Sequence, residues 1–222
     1  MSEPRFHVLD DPAEAVAELL AAAAARGESI VLTGGSTPAV AYERAAVLQP
    51  DWSAASVWWG DERCVPPDDE RSNYGLAKRT LLDRLEREPE IHRIRGELQP
   101  ADAAGEYEHK LHGVHLDLML LGLGPDGHIL SLFPGSPQLD ERERLVTSGE
   151  AGLDPFVDRV TMTLPAVFAA GRMVVLVDGP EKAWAVGNAF GEEFTEDVPA
   201  RLLLDGTAPL DIYLDEAAAA NL

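Results

Sequence analysis

A single histidine, His128, stands in a glycine-rich turn directly after the most apolar run of the chain, and the run and turn together read LMLLGLGPDGHILSLFPG over residues 118–135. A neutral imidazole can take a proton from water and return it to a leaving oxygen, which is general acid–base catalysis. Two carboxylates are placed to orient such a ring: Asp126 in the same turn and Asp61 at the end of an earlier apolar run. The sequence leaves the choice between them open.

The same turn matches the pattern G-x-G-x-x-G through Gly122, Gly124 and Gly127. A dinucleotide-binding fingerprint belongs in the first strand–helix unit and opens a long helix. Here the pattern follows about half of the chain, and Pro134 comes soon after it. We therefore expect no dinucleotide cofactor, and we interpret the glycines as allowing the backbone to approach a small ligand.

The segment LTGGSTP, residues 32–38, has the composition of an anion-binding loop. Gly34 and Gly35 let the backbone come close to a ligand, Ser36 and Thr37 add hydroxyl groups, and the following helix offers free N–H groups. The alternative is an ordinary strand-to-helix turn with a Ser or Thr cap. The segment fits neither a P-loop nor a nucleophile elbow.

Three cations follow predicted strands or lie within them: Arg63 in WGDER, Arg159 in DRVTMT and Lys182 in GPEKA. A guanidinium can bind phosphate through two hydrogen bonds. The alternative for Arg63 is a solvated ion pair at the start of a loop, and Arg159 fits either a salt bridge or a second phosphate contact. Lys182 falls in the first turn of a predicted helix, where a cation opposes the helix dipole unless an anion lies nearby. This mismatch favours a ligand-binding role for Lys182.

No metal site is predicted. His109, His112 and His115 are spaced at i, i+3 and i+6, which does not keep three side chains on one helix face. No cysteine or carboxylate completes a zinc pattern around them. Cys64 is the only cysteine, so no internal disulfide framework exists, which is typical of a cytoplasmic protein.

The elements that must position these residues alternate along the chain. We expect strands near 29–35, 56–61, 91–95, 116–124, 158–163, 172–178 and 211–214, and helices over 11–26, 39–48, 72–85, 101–112 and 180–190. Long loops are expected over 66–72 and 134–155. The pattern predicts an α/β fold: one domain over 1–222 with a doubly wound, mostly parallel sheet and helices on both faces. Ligands of such sheets bind beyond the carboxyl ends of the strands.

Charge excludes some classes of partner. The 222 residues carry 18 Lys and Arg against 39 Asp and Glu, for a net charge of −21. Such a chain repels nucleic acid and anionic membranes. Its first residues lack the basic and apolar regions of a secretory signal, so we expect none.

Taken together, the motifs resemble the family that contains 6-phosphogluconolactonases and glucosamine-6-phosphate deaminases. The resemblance runs over nearly the whole chain, through GGSTP, WGDERCVP, SNYGLAKRTLL, IHRIRGE, GLGPDGH, SLFPGS, RVTMTLPA and GPEKA. It implies a phosphosugar bound at the strand ends, no metal and no cofactor. It also implies that His128 is the acid–base residue, and that the 34–37 loop, Lys182 and either Arg63 or Arg159 contact phosphate. The implied reaction is hydrolysis of 6-phospho-D-glucono-1,5-lactone in the oxidative pentose phosphate pathway, by a cytoplasmic monomer or small homo-oligomer.

The histidine turn departs from both branches of this family. Lactonases usually read D-G-H-T-A-S-L-F-P-G, and Ile129 and Leu130 replace the Thr-Ala pair here. Deaminases read D-G-H-I-A-F-N-E-P-G, and their glutamate is Phe133 in this chain, which favours the lactonase. A non-catalytic sugar-phosphate sensor is the third hypothesis, but such sensors usually carry a DNA-binding helix-turn-helix for which this acidic chain has no room. Lactone turnover, ammonia release or binding without turnover would separate the three.

Overall fold

The structure is a computed structural model that describes residues 3–192 and 198–222. Along these residues the strands are β1 (Arg5–Val8), β2 (Ser29–Leu32), β3 (Ser56–Trp59), β4 (Asp61–Arg63), β5 (Glu90–His92), β6 (Leu118–Gly122), β7 (Val146–Gly149), β8 (Arg159–Met162), β9 (Met173–Val177) and β10 (Leu210–Leu214). The α-helices are α1 (Pro12–Ala25), α2 (Ser36–Leu48), α3 (Asn73–Thr80), α4 (Pro100–Leu111), α5 (Leu164–Phe168) and α6 (Ala183–Phe190).

The main sheet has seven strands in the order β1-β10-β9-β6-β2-β3-β5, and every neighbouring pair is parallel. From β2 the chain adds β3 and then β5 on one side of the sheet. From β6 it adds β9 and then β10 on the other side. The strand order therefore reverses between β2 and β6. In an open α/β sheet this switch point is where ligands bind.

Burial explains why the central strands are so apolar. Every residue of β9 and β10, and all of β6 except its last, is buried, which requires cover on both faces of the sheet. α1 packs against α2 and against the strands β2, β9 and β10. The doubly wound, mostly parallel sheet predicted from the sequence is thus confirmed.

A second, smaller sheet was not predicted. It is antiparallel, with the order β4-β8-β7. The strand expected near 158–163 exists as β8 but belongs to this smaller sheet and not to the main sheet. The long loop expected over 134–155 contains β7. The first strand, β1, was also missed.

Three element boundaries near the strand ends differ from prediction. The strand expected over 56–61 is interrupted at Gly60, where a side chain would collide with Leu130. α2 begins at Ser36 instead of residue 39, which places Ser36 and Thr37 in its first turn. The helix expected over 180–190 is a short 3-10 turn, Pro180–Lys182, followed by α6.

Ser72 caps α3, since its hydroxyl accepts a hydrogen bond of 3.0 Å from the Gly75 N–H. Within the described part of the chain, none of the helices has the length and apolar character needed to cross a bilayer.

Candidate active site

The loops that follow β2, β3, β6 and β9 meet at the switch point and enclose a cleft with two compartments. The first, the histidine compartment, has a volume of about 200 Å³ and is lined by Thr33, Gly34, Gly35, Asp61, Arg63, Asn73, Gly122, Leu123, Gly124, Pro125, His128, Leu130 and Lys182. The second, the helix compartment, has about 190 Å³ and is lined by Gly34, Gly35, Ser36, Thr37, Pro38, Gly122, Leu123, Leu176, Val177, Asp178, Glu181 and Lys182. Gly34, Gly35, Gly122, Leu123 and Lys182 line both, so the two compartments adjoin.

The imidazole of His128 is held by Asp126. Its Nδ1 lies 2.5 Å from Oδ1 of Asp126, and the backbone N–H of His128 donates to the same oxygen at 3.2 Å. Burial raises the pKa of Asp126, but the hydrogen bond and charge of His128 lower it by more. The net pKa is therefore below its usual value. An ionised Asp126 requires a proton on Nδ1, which leaves the lone pair of a neutral imidazole on Nε2. Nε2 has no hydrogen-bond partner among the described residues, and the ring lines the cleft.

The glycine turn fixes the position of this histidine. The Gly124 N–H donates to the His128 carbonyl at 2.9 Å, and the Gly127 N–H donates to Gly124 at 3.0 Å. Gly127 has a φ of +78° and packs so closely on Val198 that a side chain would not fit. The Phe133 ring lies 4.7 Å from the imidazole, centroid to centroid. The turn therefore needs its glycines for shape, and its two glycine N–H groups are already used.

Asp61 has other partners. Its Oδ2 accepts a hydrogen bond of 2.6 Å from the Ser131 hydroxyl, and its Oδ1 accepts one of 3.1 Å from the Asn73 amide. The same amide donates to the Asp61 carbonyl at 2.9 Å. Of the two carboxylates that the sequence left open, the structure places Asp126 on the imidazole, while Asp61 lines the same compartment.

Glu62 connects Asp61 to α3. Its buried carboxylate accepts backbone N–H groups from Asn73 at 2.7 Å and Tyr74 at 2.8 Å, and the Ser72 hydroxyl at 3.0 Å. Burial raises the pKa of Glu62, and these donors oppose that effect. By fixing the first turn of α3, Glu62 fixes Asn73 and with it the Asp61 carboxylate.

The loop after β2 presents unused donors to the cleft. The N–H groups of Gly34 and Gly35 have no acceptor among the described residues, and Ser36 and Thr37 stand in the first turn of α2, whose N–H groups have no acceptor within the helix. The buried Tyr42 hydroxyl holds the loop by donating to the Thr33 carbonyl at 2.7 Å and accepting from the Thr33 N–H at 2.9 Å.

Lys182 lies at the junction of the two compartments. Its Nζ donates to the Leu123 carbonyl at 2.8 Å, which leaves two of its three protons. Burial lowers the pKa of Lys182, and the neighbouring carboxylates Glu181, Asp126 and Asp178 oppose that effect. Asp178 also accepts a hydrogen bond of 2.5 Å from the Thr37 hydroxyl.

The two candidate arginines are not equivalent. Arg63 lines the histidine compartment and uses Nη1 to donate to the Arg71 carbonyl at 2.6 Å. Arg159 is buried beside it across the β4–β8 pair, but it lines neither compartment. Its Nη2 donates to Pro155 at 3.0 Å, whereas Nε and Nη1 are buried without a partner in the described residues. Burial, reinforced by the charge of Arg63, lowers the pKa of Arg159.

Sequence reasoning missed Asn73, Ser131 and Tyr42. Ser131 carried a signal, because it is a hydroxyl within the apolar segment ILSLF. Asn73 and Tyr42 act through contacts with distant backbone that no local pattern reveals. In the described ranges, no group of three or more His, Cys, Asp or Glu side chains is arranged to hold a metal ion.

Fold and site together define a doubly wound α/β protein with a strand-end cleft suited to acid–base chemistry on a small anionic ligand. The chain belongs to the family described as glucosamine-6-phosphate isomerases/6-phosphogluconolactonase, whose sequence model matches residues 5–211.

Named relatives agree with this membership. The 6-phosphogluconolactonase of Mycobacterium tuberculosis is 38% identical, covering 91% of this chain and 88% of its own. The solved 6-phosphogluconolactonase of Trypanosoma brucei superposes with a TM-score of 0.87 at 29% identity, covering 100% of both chains. A monomeric glucosamine-6-phosphate deaminase also superposes at 0.87, but at 18% identity, so that likeness concerns the fold alone.

Proposed function

We propose that this chain hydrolyses 6-phospho-D-glucono-1,5-lactone to 6-phosphogluconate. The relative above that is 38% identical to this chain carries the name of that enzyme. The observation that carries the proposal in the structure is the imidazole of His128, which is held through Nδ1 by Asp126, leaves Nε2 without a partner among the described residues, and lines a cleft that Lys182 also lines. A base and a cation thus line one small cavity.

The reaction needs one proton carrier. Nε2 of His128 takes a proton from water as the water oxygen attacks the lactone carbonyl carbon. The bond between that carbon and the ring oxygen then breaks, and His128 returns the proton to the ring oxygen, which becomes a hydroxyl. The new carboxylic acid ionises to solvent. Transfers of this kind are typically worth about 10²–10⁴ in rate.

Charge that develops on the carbonyl oxygen needs donors. The sequence offered two sets of backbone N–H groups, one near 34–37 and one near 124–127. We assign this role to Gly34 and Gly35, because the N–H groups of Gly124 and Gly127 already donate within the histidine turn.

The phosphate is assigned to the helix compartment. Ser36 and Thr37 present the first N–H groups of α2 there, and Lys182 supplies the charge. Arg63 lines the adjoining histidine compartment, and Arg159 adds positive charge beside it across the β4–β8 pair. Each carboxylate oxygen of Asp61 accepts one hydrogen bond, from Ser131 or from Asn73. The remaining lone pairs are assigned to accept hydrogen bonds from hydroxyl groups of the sugar.

The deaminase reaction is disfavoured by Phe133. It packs against His128 at the position where deaminases carry the third member of an Asp–His–Glu relay. An aromatic ring cannot transfer that proton.

Turnover decides between the two reactions. Purified protein, in the presence of EDTA, is given the phosphorylated lactone in one assay and glucosamine 6-phosphate in another. We expect lactone loss well above the spontaneous rate and no release of ammonia. Ammonia release without lactone loss would contradict the proposal, and so would binding of phosphosugar with neither reaction.

We further infer a single domain over 1–222 that works in the cytoplasm as a monomer or small homo-oligomer. The lone cysteine and the net charge of −21 support this inference, and the charge also disfavours nucleic-acid and membrane partners.

A further inference from the structure

Leu130 has a backbone conformation that leucine rarely adopts. Its φ is +54°, and it is the only non-glycine residue with a positive φ in the part of the chain that the structure describes. In this region the side chain crowds the following carbonyl, which is why glycine is usually found there. Neighbouring hydrogen bonds hold the conformation: the Leu132 N–H donates to Ile129 at 2.9 Å and the Ser131 N–H to the Thr161 hydroxyl at 3.2 Å.

From this strained backbone the Leu130 side chain lines the histidine compartment and packs on Gly60. It reaches Gly60, the residue before Asp61, so closely that even a methyl group on Gly60 would collide with its Cδ2. The side chain is almost fully buried, yet it lines the cavity together with His128 and Asp61. An apolar side chain therefore shares this compartment with the proposed base and the second carboxylate.

We propose that Leu130 is a specificity-determining residue, an apolar wall that limits the size of the ring substituents admitted beside His128. The inference rests on the proposed lactonase function and goes beyond it by naming what selects the substrate. A sugar lactone has polar edges and less polar C–H faces, and Leu130 offers such a face an aliphatic side chain in a compartment that it shares with His128 and Asp61. If the leucine served only to pack the turn, it would not need to line the cavity from a strained conformation.

Two variants separate the effect of the Leu130 side chain from the effect of its strained backbone. Leu130→Ala removes the wall and keeps a side chain in the left-handed region, whereas Leu130→Gly removes the wall and suits that region. Leu132→Ala is the matched control, because Leu132 is fully buried two residues further on and does not line the cleft.

The measurement is kcat/KM for 6-phosphogluconolactone and for two bulkier analogues, the 2-acetamido-2-deoxy and the 3-O-methyl lactone 6-phosphates. Both Leu130 variants should raise the ratio of at least one analogue to the parent lactone by about tenfold or more, as expected for methylene-sized changes in a binding pocket. Leu132→Ala should leave both ratios unchanged.

Unchanged ratios in folded Leu130 variants would overturn the proposal, and so would an equal change in Leu132→Ala. Failure of the lactonase function itself would appear separately, as a wild-type protein that does not consume the parent lactone.

Discussion

The hydrogen bond between His128 and Asp126 determines which imidazole nitrogen carries the proton. A histidine alone has two usable nitrogens, and the 2.5 Å contact with Asp126 assigns the proton to Nδ1 and the lone pair to Nε2. The sequence predicted the histidine from its place after a buried strand. It could not choose between Asp126 and Asp61, because that choice depends on where Ser131 and Asn73 direct the Asp61 carboxylate.

Lys182 is the residue on which phosphate recognition is most easily tested. Lys182→Ala should raise KM for the phosphorylated lactone several-fold, a loss on the order of 1–3 kcal/mol for a charge-assisted hydrogen bond. Hydrolysis of unphosphorylated gluconolactone should hardly change, because that substrate has no phosphate to lose. The measurement is the ratio of kcat/KM for the two lactones.

The control for this prediction is Lys78→Ala, which removes an exposed lysine that pairs with Asp83 and lines neither compartment. An unchanged ratio in Lys182→Ala would place the phosphate elsewhere, with Arg63 as the next candidate because it also lines the cleft.

At the scale of elements, two buried tyrosines fix the ends of neighbouring strands. Tyr42 of α2 exchanges two hydrogen bonds with Thr33 after β2, and Tyr107 of α4 does the same with Trp59 at the end of β3, at 2.8 and 2.9 Å. Burial raises the pKa of both phenols well above 10, so both hydroxyls remain protonated. Each tyrosine thereby sets the exit direction of a loop that lines the cleft.

Tyr42→Phe should therefore affect both stability and phosphate recognition. It leaves the buried N–H and C=O of Thr33 without their partner, at a cost of about 1–3 kcal/mol in the free energy of unfolding. It should also lower the preference for phosphorylated over unphosphorylated lactone, because the 34–37 loop loses its anchor. Urea unfolding and the kcat/KM ratio are the two measurements.

Tyr107→Phe is the matched variant, with a similar loss of stability but no change in that preference. If the two variants altered the preference equally, Tyr42 would be only a packing residue.

Element prediction succeeded where burial was continuous and failed where tertiary contacts decided. The run LDLMLLG predicted β6 because a strand buried on both faces is apolar throughout. β7, with the sequence VTSG, has no such signal, and it exists because it pairs with β8. At Gly60, between β3 and β4, the chain is in close contact with Leu130, which lies far away in sequence.

At the scale of the whole molecule, Asp211 connects the last strand of the chain, β10, to the first, β1. This buried carboxylate in β10 accepts hydrogen bonds from Arg5 at 2.6 Å and His7 at 2.9 Å, both in β1, and from Arg172 at 2.9 Å. β1 lies at the edge of the sheet, and in the parallel pairing Arg5 stands beside Asp211. Burial raises the pKa of Asp211, but these three partners together lower it by more, so the net pKa is below the usual 3.8.

Asp211→Asn should consequently remove an acid-sensitive part of the stability. A carboxylate with a lowered folded pKa contributes stability that is fully present above its unfolded pKa and is lost as the pH falls through its folded pKa. The variant should be less stable than wild type by about 1–3 kcal/mol at pH 7, and the difference should shrink below about pH 4. Urea unfolding at several pH values between 7 and 2.5 measures it, and a difference independent of pH would contradict the assignment.

Net charge sets the conditions under which the cleft must work. The proposed substrate carries roughly two negative charges at neutral pH, and the protein carries −21. Diffuse repulsion is screened beyond about 8 Å at physiological ionic strength, so short-range donors control binding. The proposed donors, the N–H groups of the 34–37 loop and Lys182, would act within that distance and so allow a strongly acidic protein to bind a phosphosugar.

The most direct test of the whole account is the turnover of His128→Ala. With 6-phosphogluconolactone as substrate and spontaneous hydrolysis subtracted, kcat should fall at least ~10²-fold while KM changes little, because the variant loses acid–base catalysis and keeps its phosphate contacts. His115→Ala, which removes an exposed histidine at the opposite end of β6, should retain wild-type kcat. A folded His128→Ala protein with near-wild-type kcat would contradict the central claim that this imidazole carries the proton.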